Sequence, residues 1–269
     1  MIKRKNLISN FIYNVTVSIL TICIYLLFYR KEKNLKIVNC CGFDCIPCDL
    51  GTQMIAEEAE SRGCTNGLQE IRFLADKMDG GASGGTLASA MHIFETLSFS
   101  QLLQLTNPFY LNPIDYKTKA LSLPHNNKAL YTQSCDNAVM GYDTITKRYT
   151  IPYMMQAIDL RLVNRSNALS NYRYGHNLVF TERMIVPNIL IAVFGSIALT
   201  IAQMLLIFPI SRYLIKPFLP KPGEGPSQRL LDHGFFTAKL WGKGLNATTG
   251  EEVLVQGSIQ AYHGDPGYR

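Results

Sequence analysis

One short stretch, Cys40 to Gly51, reads C-C-G-F-D-C-I-P-C-D-L-G and concentrates most of the reactive side chains of the chain. Cys45-Ile-Pro-Cys48 has the C-x-P-C spacing of redox thiols at a predicted helix start, where the helix dipole favours a thiolate. Cys40 and Cys41 beside it raise a metal cluster as a second chemistry. No further Cys or His pair follows at zinc spacing, however. The thiols therefore read first as small buried side chains. Asp44 and Asp49 flank Pro47 and each carboxylate could cap the helix; Asp44, at the strand-to-helix turn, is the first candidate to supply a proton.

A second chemical stretch is Gly80–Thr86, G-G-A-S-G-G-T, ahead of a helix. Its glycines, Ser83 and Thr86 could cradle an anion at a helix start. It lacks the lysine of a nucleoside-triphosphate loop, and a tight turn needing positive φ explains the glycines equally well. Arg161 and Arg165 lie four apart and with Ser166 could hold an anionic head group, or simply form a solvated basic face. Tyr174 and His233 are further candidate proton donors.

These residues need elements to position them. Ile37 and Val38 read as the end of a strand, Leu50–Arg62 as a helix opened near Pro47 and stopped at Gly63. Glu70–Asp76 reads as a strand. A helix follows over about 86–97, with Leu87, Ala90, Met91, Phe94 and Leu97 buried and His92 off that stripe. Residues 99–149 read as long loops or a lid, Tyr153–Val163 as a helix, and Asn177–Glu182 as a strand. Phe235–Trp241 and Glu252–Tyr262 form a hairpin in which Val253, Val255, Gly257, Ile259 and Ala261 alternate with polar residues.

Two long uncharged runs explain a charged fraction of only 17% in 269 residues. The first, Phe11–Phe28 behind Lys3, Arg4 and Lys5, reads as an uncleaved anchor, making residues 1–36 a unit of their own. The second, Ile185–Ile210, carries Ser196, Thr200 and Gln203 on one helical face and opens a membrane-associated segment over 185–216. If the strands on either side belong to one sheet, a span there would divide it across the bilayer, and a helix in the interface or against a partner is then expected. Net charge is +6, with the basic residues scattered. No basic stripe interleaved with aromatics points to nucleic acid. Seven cysteines, five of them between Cys40 and Cys64, do not suit a secreted disulfide framework.

The motifs C-C-G-F-D-x-I-P-x-D-L-G and G-G-A-S-G-G-T resemble those of the saccharopine dehydrogenase-like oxidoreductases, which include the trans-acting enoyl reductases of lipid synthesis. Weaker matches run through Pro152–Leu169, Tyr174–Gly175, Gly225–Ser227 and Asp265–Tyr268, covering residues 37–269. The resemblance implies an α/β fold, α+β-like in this fragment: a mixed sheet with flanking helices, the substrate and dimerisation part of a Rossmann-type oxidoreductase, plus two long hydrophobic helices. It implies NAD(P)-dependent chemistry on a lipid-like substrate. Asp44 would be catalytic, with Gly42, Phe43, Pro47, Gly80, Gly81, Ser83, Gly84, Gly85, Thr86 and Arg165 on the substrate side. It also implies a homodimer at a membrane, with the catalytic part cytosolic, on a lipid droplet, the endoplasmic reticulum or mitochondria. No G-x-G-x-x-G follows a strand, so the chain is expected to be a truncated member that itself binds no NAD(P). A non-catalytic membrane protein is the other reading.

Overall fold

The computed structural model describes residues 40–81, 84–96, 98, 101, 106–115, 120–121, 140–220 and 224–265. The expected anchor and the strand at Ile37–Val38 lie outside them, as does Ser83. A unit from Gly42 to Arg269 holds every element that follows.

Helix α1, Ile46–Ser61, opens with Pro47 in its first turn and closes before Gly63, whose φ of +93° suits a residue without a Cβ. Cys48, Thr52, Ile55, Ala56 and Ala59 recur at helical spacing and form its buried stripe. Strand β1, Leu68–Asp79, is longer at both ends than its apolar core suggests. Then come α2, Gly84–Thr96, and two short paired strands, β2, Ile114–Asp115, and β3, Ala120–Leu121. Strands β4, Gly141–Asp143, and β5, Arg148–Pro152, occupy part of the segment expected to be loop. Helix α3, Gln156–Leu169, starts later and runs further than expected. Tyr153, ahead of it, is a core residue. Strand β6, Val179–Val186, leads to helices α4, Ile189–Ile207, and α5, Pro209–Ile215. Helix α6, Gln228–His233, precedes the hairpin of β7, Phe235–Leu245, and β8, Glu252–Ala261. Val253, Val255, Gly257, Ile259 and Ala261 all turn inward on β8, as their alternation predicts.

Six strands form one mixed sheet in the order β4-β5-β6-β1-β7-β8. Only β1 and β6 run parallel, and every other pair is antiparallel. The result is a mixed α/β fold with flanking helices, as expected. A doubly wound parallel sheet is not present among the described residues.

Helices α1 and α3 cover one face of the sheet, α1 over β7 and β8 and α3 over β6. Ile71, Phe73, Phe180, Phe236 and Leu240 fill the layer between them. Burying each large side chain contributes about 1.5–3 kcal/mol relative to exposure. The helix can approach that closely because Gly51 has no side chain: a Cβ there would stand 2.7 Å from Leu240 Cδ2 and 2.8 Å from Ile259 Cδ1.

The apolar run Ile185–Ile210 is not one helix. Ile185 and Val186 pair with Thr150 and Tyr149 in the sheet and are buried there. Pro187 then breaks the strand, and Asn188 caps α4 by accepting from the Ile191 N–H at 2.9 Å. Among the described residues α4 is the one long apolar helix, against two expected; the first run lies outside them. Its buried side is Ala192 and Ser196, while Thr200 and Gln203 are exposed, so the expected polar stripe is buried only at Ser196.

Candidate functional site at the carboxyl end of the central strands

Strands β1 and β6 end side by side, at Asp79 and Val186. The turn Gly42–Cys45 feeds α1 at this same end. Phe43 sets its ring edge-on to Phe236 at 5.0 Å, and Phe236 pairs with Met78 near the end of β1. The glycine loop leaves directly from β1. The first two sequence motifs thus meet where ligands of open α/β sheets bind, outside the carboxyl ends of the strands.

Within the turn, Gly42 O accepts from the N–H groups of Cys45 and Ile46 at 3.2 and 3.0 Å. Cys45 occupies the cap position of α1, and no side chain caps it, so neither Asp44 nor Asp49 has the capping role the sequence allowed. Asp44 is exposed on the turn, Pro47 half-buried behind it. Asp49 instead accepts from the Ser166 hydroxyl at 2.9 Å, and burial raises its carboxyl above the ordinary value. Cys45, Cys48 and Cys64 are buried and Cys40 and Cys41 exposed. Burial, then the charge of Glu182, pushes the Cys48 thiol well up, the opposite of a redox-active thiolate.

The glycine loop is tied down by distant parts of the chain. Gly81 N–H donates to Asp265 Oδ2 at 2.9 Å, and Gly84 N–H to Glu224 O at 2.9 Å. A Cβ on Gly81 would stand 2.8 Å from Pro226 Cβ. Pro226 and Asp265, one residue from each of two weak motifs, therefore flank this loop in space. Gly80 is half-buried, Gly84 buried, and Gly85 and Thr86 are exposed at the start of α2.

The arginine pair does not form the expected shared cradle. Arg161 is buried and donates to Ala157 O at 2.6 Å, whereas exposed Arg165 donates to Leu111 O. Asn167, beside them, accepts from Tyr174 N–H at 3.0 Å and donates to Gly175 O at 2.9 Å, joining two further motif segments. Tyr174 packs into the core, where burial pushes its phenol up to about 12, and His233 is exposed on α6.

Directly beneath the turn lies a group that sequence reasoning missed. Cys48 on α1, Asp159 on α3 and Glu182 on β6 are all buried, and one ligand atom from each lies within 4.8 Å of the others. Burial raises the Asp159 carboxyl to about 7, against hydrogen bonds with Cys45 and Glu182 that lower it. Burial, and then the Asp159 charge, holds Glu182 protonated well above the ordinary range. The signal was available in β6: Glu182 falls between Phe180 and Met184 in the core-facing register of the strand.

Against known proteins, no family model and no solved structure matches. A Mycobacterium tuberculosis protein provisionally named a trans-acting enoyl reductase is 28% identical over 253 residues, 90% of this chain and 57% of its own length. A trans-acting enoyl reductase of Mycobacterium bovis is 26% identical over 236 residues, 82% of this chain and 54% of its own. That of Mycobacterium ulcerans is 25% identical over 239 residues, 84% of this chain and 55% of its own. The chain thus spans little more than half the length of these relatives. All three carry the enoyl reductase name, the narrower of the two that the motifs resemble.

Proposed function

We propose that the described residues form the substrate side of an enoyl-reductase-type, NAD(P)-linked oxidoreductase acting on a lipid-like acyl group. The observation that carries this reading is the convergence of the turn Gly42–Asp49 and the loop Gly80–Thr86 at one sheet end. Similarity to enoyl reductases over 90% of the chain supports it.

Reducing an enoyl group adds a hydride to one carbon and a proton to its neighbour. The hydride comes from the nicotinamide, whose chemistry is its own. A dinucleotide pyrophosphate needs free backbone N–H groups to cradle it. The N–H groups of Gly81 and Gly84 are already bonded to Asp265 and Glu224 and are not available for that role. No residue of the chain is assigned to it.

What the chain contributes is the proton and the acyl contact. Asp44, exposed on the turn, is assigned the proton donor. Phe43, Gly42, Pro47, Gly80, Gly81, Gly85 and Thr86 would border the acyl chain. The exposed side of α4 would rest in a membrane interface and bring an apolar substrate to the site. A homodimer using the same surface is the other occupant.

Hydrogen exchange with a trans-2-enoyl pantetheine thioester tests the assignment. Amides of Gly42–Asp49 and Gly80–Thr86 are expected to slow several-fold together. Unchanged exchange at millimolar thioester would overturn it. In NADPH-dependent turnover of the same thioester by a full-length relative, the change corresponding to Asp44→Asn is expected to lower kcat on the order of 100-fold with KM unchanged. An unaltered kcat would remove Asp44 from the role.

A further inference from the structure

We propose that Cys48, Asp159 and Glu182 form a buried site for a divalent metal ion, zinc by its ligand chemistry, that pins α1, α3 and β6 together. The three side chains come from three separate elements, yet their ligand atoms lie within 4.8 Å of one another. Ligands of a tetrahedral zinc, with bonds of about 2.0–2.3 Å, stand about 3.3–3.7 Å apart. Closing the remaining gap takes side-chain rotation of roughly an ångström, without moving the backbone elements.

The second observation is the state of Asp159. It has no solvent exposure, and neither of its oxygens meets an N–H or hydroxyl donor among the described residues. What faces it is the Cys45 thiol and the Glu182 carboxyl. A buried carboxylate is ordinarily held by N–H donors or a cation, because its desolvation is costly. Here the neighbours are a weak donor and a second acid, the surroundings a cation would complete.

The donor set selects the ion. A thiolate disfavours magnesium and calcium, which take oxygen ligands, and two carboxylates disfavour the softest ions; zinc accepts both. Cys45, buried and three residues before Cys48, stands against Asp159 but outside the group of three. Three protein donors, all buried and drawn from three elements, describe a structural site. Its consequence would be to hold the turn Gly42–Asp49 in place from below, independently of whether the enzyme reading holds.

The test is metal content and cobalt spectroscopy on the purified chain. After dialysis against metal-free buffer, plasma mass spectrometry is expected to find about one zinc per chain. Cobalt exchanged into that site is expected to show a sulfur-to-cobalt charge-transfer band and strong tetrahedral d–d bands. Cys48→Ser is expected to lose most of the charge-transfer band, and Asp159→Asn to lose the bound zinc. The exposed pair supplies the control: the double variant Cys40→Ser, Cys41→Ser is expected to keep both metal and band. A wild-type chain that takes up no zinc from micromolar solution overturns the proposal and leaves two acids sharing a proton. A band lost in the Cys40/Cys41 variant, or retained in full in Cys48→Ser, overturns it equally. Should the core variants fail to fold, the wild-type zinc content and the Cys40/Cys41 control still decide.

Discussion

Glu182 and Arg183 are neighbours on β6, point to opposite faces of the sheet, and live under opposite electrostatic regimes. Glu182 turns inward beneath α1 and α3, against a second acid and a thiol. Arg183 turns outward and donates to Thr150 Oγ1 at 2.8 Å and Thr150 O at 3.3 Å. Beside it on β1, Arg72 reaches Asp143 Oδ1 at 2.7 Å and also pairs with Glu70. Thr146 closes the shell around Asp143, its N–H and hydroxyl donating at 2.7 and 2.6 Å. Every charge named on the outer face has a complementary partner; on the inner face like meets like. A folding chain satisfies charges by default, so the inner cluster is the one that demands a reason beyond folding.

The largest effect is expected where a partner is removed from a buried, well-paired charge. Arg72→Ala would leave Asp143, whose side chain is only 4% exposed, without its facing cation and with only the Thr146 hydrogen bonds, and should destabilise the fold by about 3 kcal/mol in denaturant titration. A loss under about 1 kcal/mol would show that the outer face is effectively solvated and remove the contrast.

The two faces should also respond to acid with opposite sign. Burial alone would raise the Asp143 carboxyl, but the Thr146 hydrogen bonds and the Arg72 charge overcome that and hold it below the ordinary value. Its stabilisation is complete above the unfolded carboxylate pKa and is lost as pH falls through the lower folded value. Asp159 is raised to about 7, so it penalises the metal-free fold at high pH. That penalty is relieved as pH falls through the folded value. The metal-free protein should therefore gain about 1 kcal/mol between pH 8 and pH 6. Asp159→Asn should flatten that slope while leaving the acid limb near pH 3 untouched. A slope of the opposite sign in wild type would mean that the inner carboxylates are paired after all.

Smaller still is the effect expected of Glu182→Gln in the metal-free chain. It replaces one of two facing acids by a neutral group of the same shape, so stability should change by less than about 1 kcal/mol. Measured beside Arg72→Ala, it asks whether charge removal costs stability on one face only.

How much of this was legible beforehand depended on whether the physical signal was local. Pro47 and Gly63 mark the ends of α1 because ring closure and positive φ act within one residue. The period-two pattern of β8 shows its buried face directly. The run Ile185–Ile210 misled because apolarity alone does not separate a buried strand end from a helix; Pro187 and the Asn188 cap were the deciding residues. The partners of Asp49, Gly81 and Gly84 lie over a hundred positions away, at Ser166, Asp265 and Glu224. No spacing rule reaches that far. The inner cluster stayed hidden for the same reason, since Cys48, Asp159 and Glu182 become neighbours only when α1 and α3 pack on β6. Asp44 was visible as the exposed carboxyl of a turn, and its chemistry still rests on the assignment proposed above.

The smallest effect on stability, and the largest on location, is expected at a third surface, α4. Ala192 and Ser196 face the protein, while Leu190, Phe194, Ile197 and Ile201 stand exposed along the rest of the helix. Exposed apolar side chains contribute little to the fold, so Phe194→Glu with Ile197→Glu should shift stability by no more than about 0.5 kcal/mol each. The same pair should abolish flotation with phospholipid vesicles if this surface lies in a membrane interface. The helix is long enough to span, yet topology argues against a crossing. Strand β6 before it and β7 after it both pair with β1. Whatever leaves the sheet at Val186 must return to the same side by Phe235. After α4 the way back would be α5, seven residues and roughly 10 Å, far short of a hydrocarbon core of about 30 Å. Reporter tags in the α1–β1 turn at Asn66 and the β7–β8 turn at Thr249 should therefore share one protease sensitivity on intact vesicles. Opposite protection would mean that the sheet is divided by the bilayer. Vesicle binding that survives both glutamates, with the protein dimeric in solution, would instead assign the apolar side of α4 to a second copy of the chain.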